Sequence, residues 1–202
     1  WDRTVADAPD GVASIDVSGL HEPRIEPEVV FGLSAPPPPQ GGAREMLDVV
    51  AWIAAGFEIV HSVFPGWRFR APDCTAQFGL HGKLVVGPRR TVGEDERDAL
   101  FALLPVFEVT LRKDGAVEDT GVGANVLDSP AHALAHLRDV LASQPLSPPL
   151  RAGEIVTTGT ITDAMPVAAG ETWTSDYGAL PVRRLTVTIA GVAATPSPKA
   201  AA

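Results

Sequence analysis

Two glutamates, Glu26 and Glu28, stand two residues apart in the apolar run RIEPEVVFGL at 24–33. On a strand, residues i and i+2 share a face, so both carboxylates point one way and Pro27 the other. Two like charges side by side are costly unless a cation lies between them. Proline removes a ladder hydrogen bond, which places this segment at an edge, a bulge or a mouth. The commoner explanation of such a pair is a solvated strand face. Against it stands a third carboxylate, Glu58, between Phe57 and Ile59 in GFEIVHS at 56–62. Three carboxylates with no nitrogen or sulfur ligand suit a hard cation. Mg2+ fits first, because it keeps water positions open for a substrate, and Mn2+ second.

Other chemistry-bearing residues are more ambiguous. Arg68 and Arg70, in GWRFR, would share a strand face and either hold a substrate's distal carboxylate or form a solvated basic edge. His81, close in sequence to Asp73 and Lys83, is open between an acid–base role and a place on the surface. His61 is an odd number of residues from Glu58 and would point to the opposite face. His132 and His136 are four apart on a helix, but Ala133 stands where H-E-x-x-H needs glutamate, so they read as an exposed pair. Cys74 reads as a small buried residue. No G-x-S-x-G, P-loop or dinucleotide fingerprint occurs.

These residues must be positioned by a strand-rich scaffold. The chain has 202 residues, 45% of them hydrophobic, with 19 glycines and 19 prolines falling between short apolar segments. That pattern predicts many strands joined by turns. Strands are expected at 25–33, in FEIVHSVF from Phe57, at 82–88, at 105–112 with a hairpin turn at 113–115, and at 183–190. SAPPPPQGG at 34–42 is a stiff loop. The spacing of Met46, Leu47, Val50, Ile53, Ala54 and Phe57 predicts a helix over 43–57. A second helix should start at Ser129-Pro130, a good cap followed by proline at the first helical position. Residues 1–192 read as one domain and 193–202, AATPSPKAAA, as a disordered tail.

A net charge of −9 argues against nucleic acid and anionic membrane surfaces as partners. It also means that an anionic substrate needs a local cation. One cysteine rules out a disulfide within the chain and agrees with a cytoplasmic setting. No apolar run is long enough to span a bilayer as a helix.

Three segments, RIEPEVVFGL, GFEIVHSVFPGWRFRAPDCTA and LRAGEIVTTGTITDAMPVAAGE, occur in this order over most of the chain. Together they resemble the fumarylacetoacetate hydrolase superfamily, and within it the branch of 2-keto-4-pentenoate hydratases and 4-oxalocrotonate decarboxylases. The resemblance implies an α+β, β-rich fold: a roll of mixed sheets with two or three flanking helices, usually in a homo-oligomer. It implies that Glu26, Glu28 and Glu58 bind the divalent metal. Asp73 would transfer a proton or orient water, and Thr160, in TTGT at 157–160, would border the substrate. Lys83 would approach the pocket as a lysine does in the hydrolase branch.

The implied substrates are 2-oxo or 2-hydroxydienoic acids from aromatic-compound catabolism, chelated by a metal that stabilises an enolate. Water addition then gives a hydratase, loss of CO2 a decarboxylase, and attack on a second carbonyl a C–C bond hydrolase of acylpyruvate-type substrates. Members of the branch carry a helical N-terminal segment that supplies a lysine near the metal, and this sequence is expected to begin after it. Only Lys83, Lys113 and Lys199 are present. A non-catalytic homologue, serving as a scaffold or partner subunit, is therefore the rival expectation.

Overall fold

The structure, a computed structural model, describes residues 3–191; the tail expected at 193–202 lies outside the described residues. Two mixed sheets carry the fold. Numbered in chain order, the first holds β1 (Val5–Asp7), β3 (Arg24–Leu33), β4 (Val50–Val60), β5 (His81–Val86), β6 (Arg90–Thr91), β9 (Ile155–Thr157) and β10 (Met165–Pro166). The second holds β2 (Val12–Asp16), β7 (Glu108–Lys113), β8 (Ala116–Val122), β11 (Thr172–Asp176) and β12 (Leu185–Ala190). The helices are α1 (Ala43–Met46), α2 (Ala71–Ala76), α3 (Arg97–Leu103) and α4 (Pro130–Ser143). The result is the β-rich α+β architecture expected.

The first sheet runs β1-β5-β4-β3-β10, with β9 also on β3 and β6 also on β4. The second runs β2-β12-β11-β7-β8. Only β1 on β5 and β2 on β12 are parallel among the described pairs. One apolar core lies between the sheets. Ile25, Val29, Phe31, Phe57 and Ile59 from the first meet Val109, Leu111, Trp173, Leu185 and Val187 from the second. Each such fully buried side chain contributes about 1.5–3 kcal/mol.

The hairpin of β7 and β8 turns at Asp114 and Gly115, both with positive φ (50° and 86°). This is the backbone a two-residue primed turn requires, and Asp-Gly supplies it. α4 begins as its sequence predicts, with the Ser129 hydroxyl accepting from the His132 N–H at 3.3 Å and Pro130 in the first turn.

The helix expected over 43–57 is a correction. Helix covers only Ala43–Met46, a single 3-10 turn follows at Leu47–Val49, and β4 takes over from Val50. β4 is buried on both faces, so its apolar residues run nearly continuously and show no period of two. Gly56 also argues against helix there. A Cβ at Gly56 would lie 2.4 Å from a Val30 methyl, so close strand packing demands glycine. The strand expected around Arg68 and Arg70 is a second correction. Pro65–Trp67 forms a 3-10 turn and Pro72 lies in the first turn of α2. Proline suits a helix's first turn and cannot supply ladder hydrogen bonds.

Candidate metal centre

β3 and β4 pair antiparallel, with Glu26 opposite Glu58 and Glu28 opposite Gly56. Directly paired residues share a face, so all three carboxylates stand on the side of the sheet away from the main core. Carboxylate oxygens of Glu26, Glu28 and Glu58 lie within 4.8 Å of one another. Around them on this face is a small apolar cluster of Val30, Ala54, Leu84 and Val86.

Burial and mutual repulsion make this group electrostatically expensive. Glu28 is 1% exposed. Burial, and then the charge of Glu58, push the Glu28 carboxyl well above the usual carboxylate range, opposed by the Gly159 N–H that donates to its Oε2 at 2.7 Å. Burial and Glu58 push Glu26 up to about 7, opposed by Arg24. Arg24 precedes Glu26 by two residues on the same strand, and its guanidinium lies 4.2 Å over the Trp67 ring. From the other side of the sheet, the buried Tyr177 hydroxyl donates to the backbone carbonyls of Glu28 (2.7 Å) and Gly56 (3.2 Å). That contact ties the two ligand-bearing strands together. Burial raises the Tyr177 hydroxyl's pKa, so it stays a donor.

His81 adds a nitrogen to the rim. Its Nδ1 is 2.5 Å from Glu58 Oε1 and its Nε2 is 3.0 Å from Thr4 Oγ1. Glu58 and His81 open onto a cleft of about 720 Å3, with Leu84 and Val5 on the same side. Residues 154–157, with Phe78, Gly79, Leu137 and Leu150, form the rest of its lining.

The other sequence candidates fall elsewhere. Lys83 pairs with Ile59, while Glu58 pairs with Leu84, so Lys83 stands on the opposite face from the carboxylates, where its charge reaches Asp16. Asp73 sits in the first turn of α2, and its carboxylate accepts from the Arg70 N–H at 2.9 Å. Arg68 and Arg70 are exposed on irregular backbone. The Thr160 hydroxyl donates to the Thr162 carbonyl at 2.8 Å and borders a separate cleft with Asp119 and Asn125. The TTGT segment reaches the carboxylates through the backbone N–H of Gly159. Thr158 anchors that segment, donating to the Val29 carbonyl at 3.1 Å. Sequence reasoning alone thus misses Gly159, Tyr177 and Arg24. A backbone donor and a tyrosine just past the distant strand β11 leave no local sequence signal, though Arg24 is readable by the same i, i+2 rule as the glutamates.

An all-oxygen cluster, buried and carrying more negative charge than it can hold unassisted, fits a hard divalent cation. Its glutamates are the groups that would hold one.

No family model matches the chain. It is 32% identical over 164 residues to the 2-hydroxyhexa-2,4-dienoate hydratase of Comamonas testosteroni, covering 80% of this chain and 59% of the relative. It is 30% identical over 173 residues to the 4-oxalocrotonate decarboxylase of Pseudomonas sp. (strain CF600), covering 85% and 62%. The chain thus spans about three fifths of the length of these curated relatives. Among solved structures, the 4-oxalocrotonate decarboxylase from Pseudomonas putida G7, complexed with magnesium and adipate, superposes with a TM-score of 0.79 at 25% identity, over 93% of this chain and 67% of that one. The fumarylpyruvate hydrolase from Pseudomonas aeruginosa shares the fold at 14% identity, with a TM-score of 0.65 over 93% of this chain and 75% of that one. The ordered motifs, the shared fold and these relatives agree: the chain is similar to the fumarylacetoacetate hydrolase superfamily, and within it to the branch of 2-keto-4-pentenoate hydratases and 4-oxalocrotonate decarboxylases.

Proposed function

We propose that the protein is a divalent-metal-dependent hydratase or decarboxylase of 2-oxo or 2-hydroxydienoic acids in aromatic-compound catabolism. The observation that carries this reading is the trio Glu26, Glu28 and Glu58, with oxygens within 4.8 Å on one buried strand pair. Glu26, Glu28 and Glu58 would hold Mg2+ or Mn2+, as the magnesium complex of the Pseudomonas putida decarboxylase supports. A bound divalent cation supplies the positive charge that seats a 2-oxo acid and stabilises negative charge developing on it.

The chain's own groups do the rest. Gly159 N–H fixes the Glu28 carboxylate, and Tyr177 fixes the backbone beneath it. The cleft beside Glu58 has a largely apolar lining, which limits water around a bound dienoate. Assembly into homo-oligomers and a cytoplasmic setting belong to the same reading.

A second reading, a non-catalytic homologue that keeps the metal scaffold, is favoured by one observation. Among the described residues no lysine lines the cleft, and Lys83 is on the far face.

Calorimetric titration of Mg2+ and Mn2+ into metal-stripped protein, with and without oxalate, tests the metal centre that both readings share. Binding tightened by oxalate is the expected result. No binding with or without oxalate overturns both. Turnover of a 2-hydroxydienoate by the metal-loaded protein then decides between them, and its absence favours the scaffold.

A further inference from the structure

His81 reaches the carboxylates because of a defect in the β ladder. Along β5, Leu84 pairs with Glu58 and Lys83 with Ile59, but His81 rather than Gly82 pairs with Val60. One extra residue is inserted on β5, and the register shifts between Ile59 and Val60. Without that insertion, strict alternation would place His81 with Lys83 and Val85, on the face away from Glu58. The bulge turns it to the face of the carboxylates. Gly82 is the residue that permits this, since a Cβ there would lie 2.8 Å from the Ile59 carbonyl oxygen.

We infer that His81 is a positioning residue for the metal centre, holding the Glu58 carboxylate through its Nδ1–H while Thr4 fixes the ring. The inference rests on the metal reading above. Glu58, as a carboxylate, only accepts, so the proton of the 2.5 Å contact belongs to Nδ1 of the imidazole. Nε2, at the other edge of the ring, meets the Thr4 hydroxyl at 3.0 Å. Thr4 directly precedes β1, which pairs parallel with β5, so the two ring contacts come from the two sides of β5, Thr4 beside β1 and Glu58 on β4. Glu26 and Glu28 share one strand, whereas Glu58 faces them from across the ladder. Its side chain must be aimed for the three to converge, and the ring of His81 aims it. Groups that orient a metal ligand in this way change metal affinity by about 10–100-fold when removed.

The test is Mg2+ titration, followed calorimetrically without a 2-oxo acid, of the metal-stripped wild type and three variants. His81→Ala should bind Mg2+ about 10–100-fold more weakly. His81→Asn, whose amide N–H can stand in for Nδ1–H, should recover to within a few-fold of wild type. Thr4→Val, which leaves the imidazole in place but removes the hydroxyl at its Nε2, should show a smaller loss and remains informative if His81→Ala does not fold. Melting temperatures of the metal-free proteins establish folding separately. Wild-type affinity in His81→Ala, or in Thr4→Val where His81→Ala does not fold, overturns the inference, as does equal loss in His81→Ala and His81→Asn. In each of these cases the metal reading stands. Failure of the wild type itself to bind removes that reading together with the inference.

Discussion

The two faces of the β3–β4 ribbon make a controlled comparison, because the same backbone carries both. One face presents Ile25, Val29, Phe31, Phe57 and Ile59 to the second sheet and is apolar throughout. The other presents Glu26, Glu28 and Glu58 within a small apolar patch. Both are largely removed from water, so the difference between them is chemical. The first face stabilises the fold by burial. The second opposes it by desolvating like charges, and is tolerable only if protons or a cation neutralise them.

The largest expected effect comes from breaking the apolar face. Phe57→Ala should cost about 3–5 kcal/mol in urea denaturation. An equal loss from an alanine at exposed Arg68 would contradict the assignment of the core. On the other face, the metal-free protein should lose stability as pH rises. Glu26 has its folded pKa raised from 4.5 to about 7. A group raised in this way favours folding below its unfolded value, and that contribution is lost as pH climbs through about 7. The share of this change due to Glu26 between pH 4 and pH 8 should be at most about 3 kcal/mol, since each tenfold difference in acidity between the folded and unfolded chain is worth ~1.4 kcal/mol. It should shrink in Glu26→Gln. A flat profile in the wild type would mean that Glu26 is hydrated rather than buried.

Mg2+ should reverse this slope. Protons and metal compete for the same oxygens, so the melting-temperature gain at fixed Mg2+ should be larger at pH 8 than at pH 5.5. Equal gains at both values would place the ion elsewhere. The smallest effect should come from Tyr177→Phe, which removes the hydroxyl linking the Glu28 and Gly56 carbonyls while keeping the ring packed. About 1–2 kcal/mol is expected by chemical denaturation. A loss above that range would mean that the ring packing, too, is disturbed.

How much of this is legible in the sequence follows from the same contrast. Period-two alternation sets the common face of Glu26 and Glu28, and an apolar setting singles out Glu58. β4 reads as helix because burial on both faces erases the alternation that identifies a strand. His81 obeys alternation in the sequence and violates it in the structure, since a one-residue bulge leaves no compositional trace beyond Gly82. Arg68 and Arg70 look like strand neighbours only while the prolines on either side are given too little weight. With Thr160 the sequence points to the segment beside β3, but the group that meets the carboxylates is the neighbouring N–H of Gly159, which no side-chain motif encodes.

Tyr177 also has a consequence for how the centre moves. Its hydroxyl fastens the Glu28 and Gly56 carbonyls to the second sheet, so β3 and β4 cannot separate unless the sheets do. Their amide hydrogens should exchange with solvent only through global unfolding, whereas those of the exposed edge around Glu154 and Ile155 should exchange through small openings. Access for an incoming ion would then come from the yielding edge, while the spacing of its ligands is held by the slowest-exchanging part of the molecule.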